Sequence, residues 1–312
     1  MSEETKDPYQ DMVESRDQEF MNEIKQNGLG KASMSKFSND TSDSDTHLGY
    51  VNLNLEDLPS MGKFYPEDAK MQIRSARVAE IRNFSIIDEK NLMDIEDKLN
   101  SIVKACTTFK SGTKMMSYKD IMEEDRIFIL LSIRDLTFPE AENKLMLKAT
   151  DAEGEDFEIE LSTRYFDTEK IPADIEQYYD SEKRSYVIQT KSAGEVVMSP
   201  PTIGIMEEVT KFMAQRQRER KTWDQSFLQM VPYIQEDWRG FNAKKIFEKE
   251  IEFQGWSERK YMVIYRLAEK MKIGVKPELK VDRQGSEVLV PLDFPGGIKS
   301  LFIISDLAGE LL

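Results

Sequence analysis

A Ser-His-Asp or Cys-His arrangement needs a histidine inside a folded site. This 312-residue chain holds one histidine, His47, and one cysteine, Cys106. His47 follows Ser44, Asp45 and Thr46, which favour turns and solvent, so no Ser-His-Asp or Cys-His arrangement is expected around it. Cys106 falls on the apolar face of a predicted helix and reads as a small core residue. No cysteine pair offers a zinc site, and no spacing resembles a calcium loop. Ser111-Gly112-Thr113-Lys114 is too short for a phosphate loop and lacks the upstream glycine. Glu123, Glu124 and Asp125 form an acidic run that reads as a solvated charge cluster. Carboxylates are numerous enough that a paired-acid hydrolase is not excluded by counting, but nothing singles out a pair. The expectation is therefore no enzyme, with no catalytic residue, cofactor, metal or small-molecule substrate.

The totals point the same way. Hydrophobic residues make up 39% and charged residues 32%, with a formal net charge of -15. That balance argues against a nucleic-acid partner, since phosphate backbones demand a surplus of Lys and Arg. The start, Met1-Ser2-Glu3-Glu4-Thr5, is acidic and polar, unlike a signal peptide. No apolar run approaches the ~20 residues that span a bilayer, so no membrane is expected and the cytoplasm is the expected compartment.

The elements that would position any site fall into three parts. Residues 1–48 read as a flexible acidic tail with one amphipathic piece, where Met12, Phe20, Met21 and Ile24 recur at roughly helical spacing. That piece is either a fraying helix or a docking segment that orders against a partner. Residues 49–165 read as an α+β domain. Strands are expected at 51–55 and 71–74, a helix from Asp88 to Phe109, and a second helix from Ser117 to about Leu136. Within the second helix, Asp125-Arg126 and Arg134-Asp135 read as structural ion pairs. A hairpin follows, with Leu145, Leu147 and Ala149 alternating before Asp151–Gly154, and Phe157, Ile159 and Leu161 alternating after it.

Residues 166–312 read as a helical C-terminal domain ending in a β-hairpin, Leu279 to Leu292. A small hairpin at 186–198 precedes a helix opened by Ser199-Pro200-Pro201-Thr202. The basic end of that helix, Arg216 to Lys221, reads as solvated or as facing an acidic protein. Asn242 is a predicted cap for a helix through Phe253, and Ser257 for another through Lys272, closed by Gly274. The apolar terminus, Leu301-Phe302-Ile303-Ile304 to Leu312, must be buried on its own domain or on a neighbouring subunit. The fold class is thus α+β: a mixed helical body with short β-hairpins, preceded by an acidic segment.

Two stretches carry a family resemblance. One is Leu58-Pro59-Ser60-Met61-Gly62-Lys63-Phe64-Tyr65-Pro66, followed by Ile73-Arg74-Ser75-Ala76-Arg77-Val78-Ala79-Glu80. The other is Asp125-Arg126 ahead of Ile127-Phe128-Ile129-Leu130-Leu131-Ser132-Ile133-Arg134. With the hairpin at 144–161, they resemble the baseplate and baseplate-hub assembly proteins of T-even-type contractile-tailed phages, across the first half of the folded part. Relatives of that kind often carry Cys-x-x-Cys in the hairpin; here Asp151-Ala152-Glu153-Gly154 stands there, so an equivalent hairpin holds without metal. The resemblance implies a structural component or assembly factor of the hub, made in host cytoplasm, with phage tail or baseplate proteins as partners. A transient chaperone of a tail protein is the alternative, and a carboxylate hydrolase a lesser one. Aromatic anchors are the side chains interfaces use most. The expected contact residues are Phe20, Met21 and Ile24 in the tail, Phe64 and Tyr65 in an exposed turn, and Phe302 at the apolar end.

Overall fold

Alternating short apolar and polar residues make short strands, most of which pair antiparallel with a strand close in the chain. The computed structural model describes residues 49–302, apart from 140–143, 151–153, 162–165, 235–236, 284–285, 293 and 295–296. Four antiparallel strands form the first sheet: β1 (Val51–Leu53), β2 (Ala69–Ile73), β3 (Thr107–Ser111) and β4 (Lys114–Met115), in that order. Ser111 pairs with Lys114, and Gly112 sits at φ +54° between them. The Ser-Gly-Thr-Lys stretch is therefore a hairpin turn, where glycine supplies the left-handed backbone at no steric cost.

Two helices, α1 (Val78–Ser85) and α2 (Leu92–Cys106), cross between β2 and β3. Asn91 caps α2 by accepting from the Met93 N–H, and Leu99, Ile102, Val103 and Cys106 form its buried face. The expected helix to Phe109 ends sooner, because Thr107, Thr108 and Phe109 join β3. Two β-branched residues and an aromatic favour the pleated surface over a further helical turn. The next helix, α3 (Arg126–Thr137), starts later than expected. Ser117 and Asp120 make a capping box, but around one 3-10 turn only, Tyr118–Asp120, and a second 3-10 turn spans Glu123–Asp125.

The hairpin β5 (Met146–Thr150) and β6 (Asp156–Glu160) forms where alternation predicts it. After β7 (Thr168–Glu169) and the single turn α4 (Ala173–Glu176) comes a three-stranded sheet: β8 (Tyr179–Asp180), β9 (Ser185–Thr190) and β10 (Gly194–Met198). Then α5 (Ile203–Arg218) starts at the Thr202 cap, past the two prolines. Helices α6 (Gln225–Met230), α7 (Ala243–Gln254) and α8 (Glu258–Lys270) follow. Asn242 and Ser257 cap α7 and α8 as their side chains predict. Gly274 does not close α8; it opens β11 (Gly274–Val275), which pairs with β7. The last hairpin is β12 (Glu278–Arg283) with β13 (Ser286–Pro291).

Among the described residues, eight helices and these short antiparallel pairs make an α+β fold. Its buried residues fall into two clusters. The first gathers the four-stranded sheet, α1 to α3 and the hairpin β5–β6, and also Leu279, Val290, Leu301 and Phe302. The final hairpin thus packs into the first cluster instead of completing a separate C-terminal unit. The second cluster gathers β8–β10 and α5 to α8. Residues 121–123 and 201–203 stitch the two clusters together. Ile203 N–H donates to the Ile121 carbonyl at 2.8 Å, and Glu123 N–H to the Pro201 carbonyl at 3.0 Å. No helix among the described residues is long and apolar enough to cross a membrane.

Candidate functional site

The 58–66 turn and the start of α3 meet. Met61 and Gly62 are both left-handed, at φ +52° and +71°, so the chain reverses sharply there. A Cβ on Gly62 would stand 3.0 Å from the Leu55 Cβ, which adds a steric demand for glycine. Backbone bonds from Met61 to Leu58 (2.8 Å), Lys63 to Ser60 (3.1 Å) and Tyr65 to Gly62 (3.1 Å) close successive small turns.

Asp125 holds this turn from within. Its carboxylate accepts the Ser60 N–H at 2.8 Å, the Ser60 hydroxyl at 2.6 Å and the Tyr65 hydroxyl at 2.6 Å. The Met122 N–H in turn donates to the Tyr65 oxygen at 3.0 Å. Asp125 is fully buried. Burial pushes its carboxyl up to about 6, against the lowering pull of the Ser60 and Tyr65 hydrogen bonds. Burial and the nearby Asp125 charge drive the Tyr65 phenol well above its ordinary value.

The neighbouring Arg126 turns the other way. It pairs with Glu96 and with Glu123 (2.6 Å) and donates to the Asn100 carbonyl oxygen at 3.0 Å. Asn100 and Tyr118 donate to Glu207 of α5 at 3.1 and 2.7 Å, and Lys119 pairs with Glu207 at 2.6 Å. Asp125-Arg126 is therefore no mutual ion pair: the acid clasps the turn and the base ties α2 to the start of α3. Asp135 pairs with Lys144 at 3.6 Å and also attracts the neighbouring Arg134, whose guanidinium lies 5.3 Å from the Phe138 ring centroid.

The acidic run is not a solvated cluster either. Burial pushes Glu123 up to about 7 and Glu124 well above the carboxylate range. Each keeps one buried carboxylate oxygen without a partner among the described residues. Glu124 lies against Gly274, where an added Cβ would sit 3.7 Å from its side chain. These shifted acids line neither of two cavities beside them in the fold. A cavity of about 380 Å³ beside β3 and β4 is lined by no carboxylate, and the space beside Glu96, Asp97 and Glu207 measures about 10 Å³. No cluster of three or more metal-binding side chains occurs among the described residues. Cys106 is buried, and burial pushes its thiol up to about 12, far from the thiolate a nucleophile needs.

The expected contact residues sort differently from their expectation. Phe20, Met21 and Ile24 lie outside the described residues. Phe64 is half-buried against Tyr179 and Tyr186, with ring centroids 6.0 and 6.2 Å away. Tyr65 and Phe302 are core residues, 4% and 1% exposed, and so not surface anchors. Tyr65 turns inward because Asp125 and Phe109 receive its two ends, and Phe302 packs edge-on to Phe84 at 5.2 Å. Lys63, just before Phe64, reaches the second cluster. It pairs with Glu176 and lies 3.9 Å from the Tyr179 ring centroid, while the Tyr179 hydroxyl donates to its carbonyl. The exposed large apolar residue of the turn is Met61.

Arg74 of the first motif is equally committed. It donates to both Glu80 oxygens, at 2.9 and 2.6 Å, and to the Ser75 and Ala105 carbonyls, both at 2.7 Å. Set against protein-family models, curated proteins and solved structures, the chain matches none of them.

Proposed function

We propose that the protein is a non-enzymatic structural component or assembly factor of a phage tail baseplate hub, acting through protein–protein contacts. One observation carries the reading. The two stretches that resemble that family, 65 residues apart at Ser60 and Asp125, are joined by three hydrogen bonds to one buried carboxylate. Their polar side chains hold chain to chain: Ser60 and Tyr65 to Asp125, Arg74 to Glu80, Arg126 to Glu96 and Glu123. A motif used in this way preserves a shape, which is what a building part of a larger assembly requires. Glu123, Glu124 and Asp125, whose ionisation burial shifts upward, do not line the cavity of about 380 Å³, which favours this reading over a carboxylate hydrolase.

Affinity capture of the tagged full chain from infected cells, with mass analysis of what accompanies it, tests the proposal. Recovery of tail hub, tube or tape-measure proteins is the expected result. The chain running alone would contradict it. Mass analysis of purified particles then separates a resident subunit from a chaperone that leaves.

A further inference from the structure

The cavity of about 380 Å³ beside β3 and β4 falls in the range of binding clefts, ~300–1,000 Å³. Phe109, Met115, Met116 and Tyr118 give it an apolar lining, and Lys104 stands at its rim. Met115 is 58% exposed at its edge. Thr107 also lines it, and its hydroxyl is buried with no hydrogen-bond partner among the described residues. A buried donor left unpaired costs free energy unless something arrives to meet it. Lys114, beside Met115 on β4, is exposed, so the rim is basic in a chain of net charge -15.

We propose that this groove is the seat of the chain's own N-terminal segment, residues 12–24. Three facts select that occupant. Its apolar residues, Met12, Phe20, Met21 and Ile24, match the lining. Its charge matches the rim: the first 24 residues carry eight carboxylates against Lys6 and Arg16. Its attachment point is close. Val51 pairs with Ile73, and Ile73 pairs with Thr107. Val51 therefore stands two strand spacings, ~10 Å, from the threonine whose hydroxyl is unpaired. The 24 residues from Lys25 to Leu48 cover that distance readily. A linker of that length has a root-mean-square span of roughly 25–30 Å. Phe20, the largest apolar side chain of the segment, fills the cavity beside Tyr118, and the acids around it face Lys104 and Lys114. This seat concerns the chain folding on itself and does not depend on which proteins the body docks on.

Amide hydrogen exchange of the full chain tests it. Amides of residues 12–24 are expected to exchange at least ~10-fold more slowly than an unprotected chain, at every protein concentration, and less slowly as salt rises. Lys104→Glu with Lys114→Glu should abolish that protection while exchange in α5 and α7 stays unchanged. Phe20→Asp, which alters nothing in the described body, should abolish it as well. Exchange at the unprotected rate in the natural chain would overturn the proposal. So would protection that survives both variants, or protection that appears only as protein concentration is raised.

Discussion

The 58–66 turn and the β3–β4 groove both border the first cluster, and both present a hydroxyl to their surroundings. In the turn, the Ser60 hydroxyl meets a buried carboxylate at 2.6 Å, and that carboxylate takes two further donors. In the groove, the Thr107 hydroxyl meets nothing among the described residues. The turn is a finished contact and the groove an open one. Buried polar groups are nearly always paired, so an open one marks where a structure expects something more. A turn rich in Pro, Gly and Lys has the composition of surface, yet it is the closed region. The strand edge, which composition would pass over, is the open one.

The largest expected effect breaks the closed region. Asp125→Ala leaves the Ser60 N–H, the Ser60 hydroxyl and the Tyr65 hydroxyl without their acceptor. Denaturant unfolding should show a loss of about 3–5 kcal/mol, as for other buried charged partners removed singly. Asp125→Asn keeps an acceptor and should cost less. It also removes a titration whose sign is fixed. The folded carboxyl is raised to about 6 from 3.8. Its contribution to stability is then fully present below about pH 4 and is lost as pH rises through about 6. The stability advantage of the natural chain over Asp125→Asn should accordingly shrink across that window. An advantage that grows with pH would mean that the carboxyl is not raised.

Deleting one hydroxyl in each region sharpens the comparison further. Ser60→Ala should cost about 1–3 kcal/mol, because a donor to a buried charge is lost. Thr107→Val, which at nearly constant shape removes a buried hydroxyl that has no partner among the described residues, should cost nothing and should raise stability by up to about 1 kcal/mol. Equal losses at the two positions would erase the distinction between closed and open contacts.

Elements with a local signal were legible from residues alone. The hairpin β5–β6 and the final hairpin follow alternation, and Asn242 and Ser257 cap the helices their side chains predict. Misreadings arose where one local pattern fits two outcomes. Ser117 and Asp120 form a capping box around a single 3-10 turn, and the same pattern announces a long helix. Thr107 to Phe109 continue the apolar periodicity of α2, yet their branched and aromatic side chains pass into a strand. The site itself was half legible. Both of its stretches stood out, but not their contact, because a 65-residue separation leaves no trace in local spacing. Glu123, Glu124 and Asp125 look solvated for the same reason: charge is written in the sequence and burial is not. Tyr65 was expected outside because turns lie on surfaces, whereas Asp125 and Phe109 provide a seat within.

That Asp125 clasps the turn is most directly tested by a double-mutant cycle of Asp125→Asn and Tyr65→Phe, read by denaturant unfolding of the full chain. Groups in direct contact should couple, and the account predicts an interaction energy of about 1–2 kcal/mol, the double variant losing less than the two single losses together. Losses that simply add, to within about 0.3 kcal/mol, would contradict it and leave Tyr65 outside the clasp that Asp125 makes on the turn.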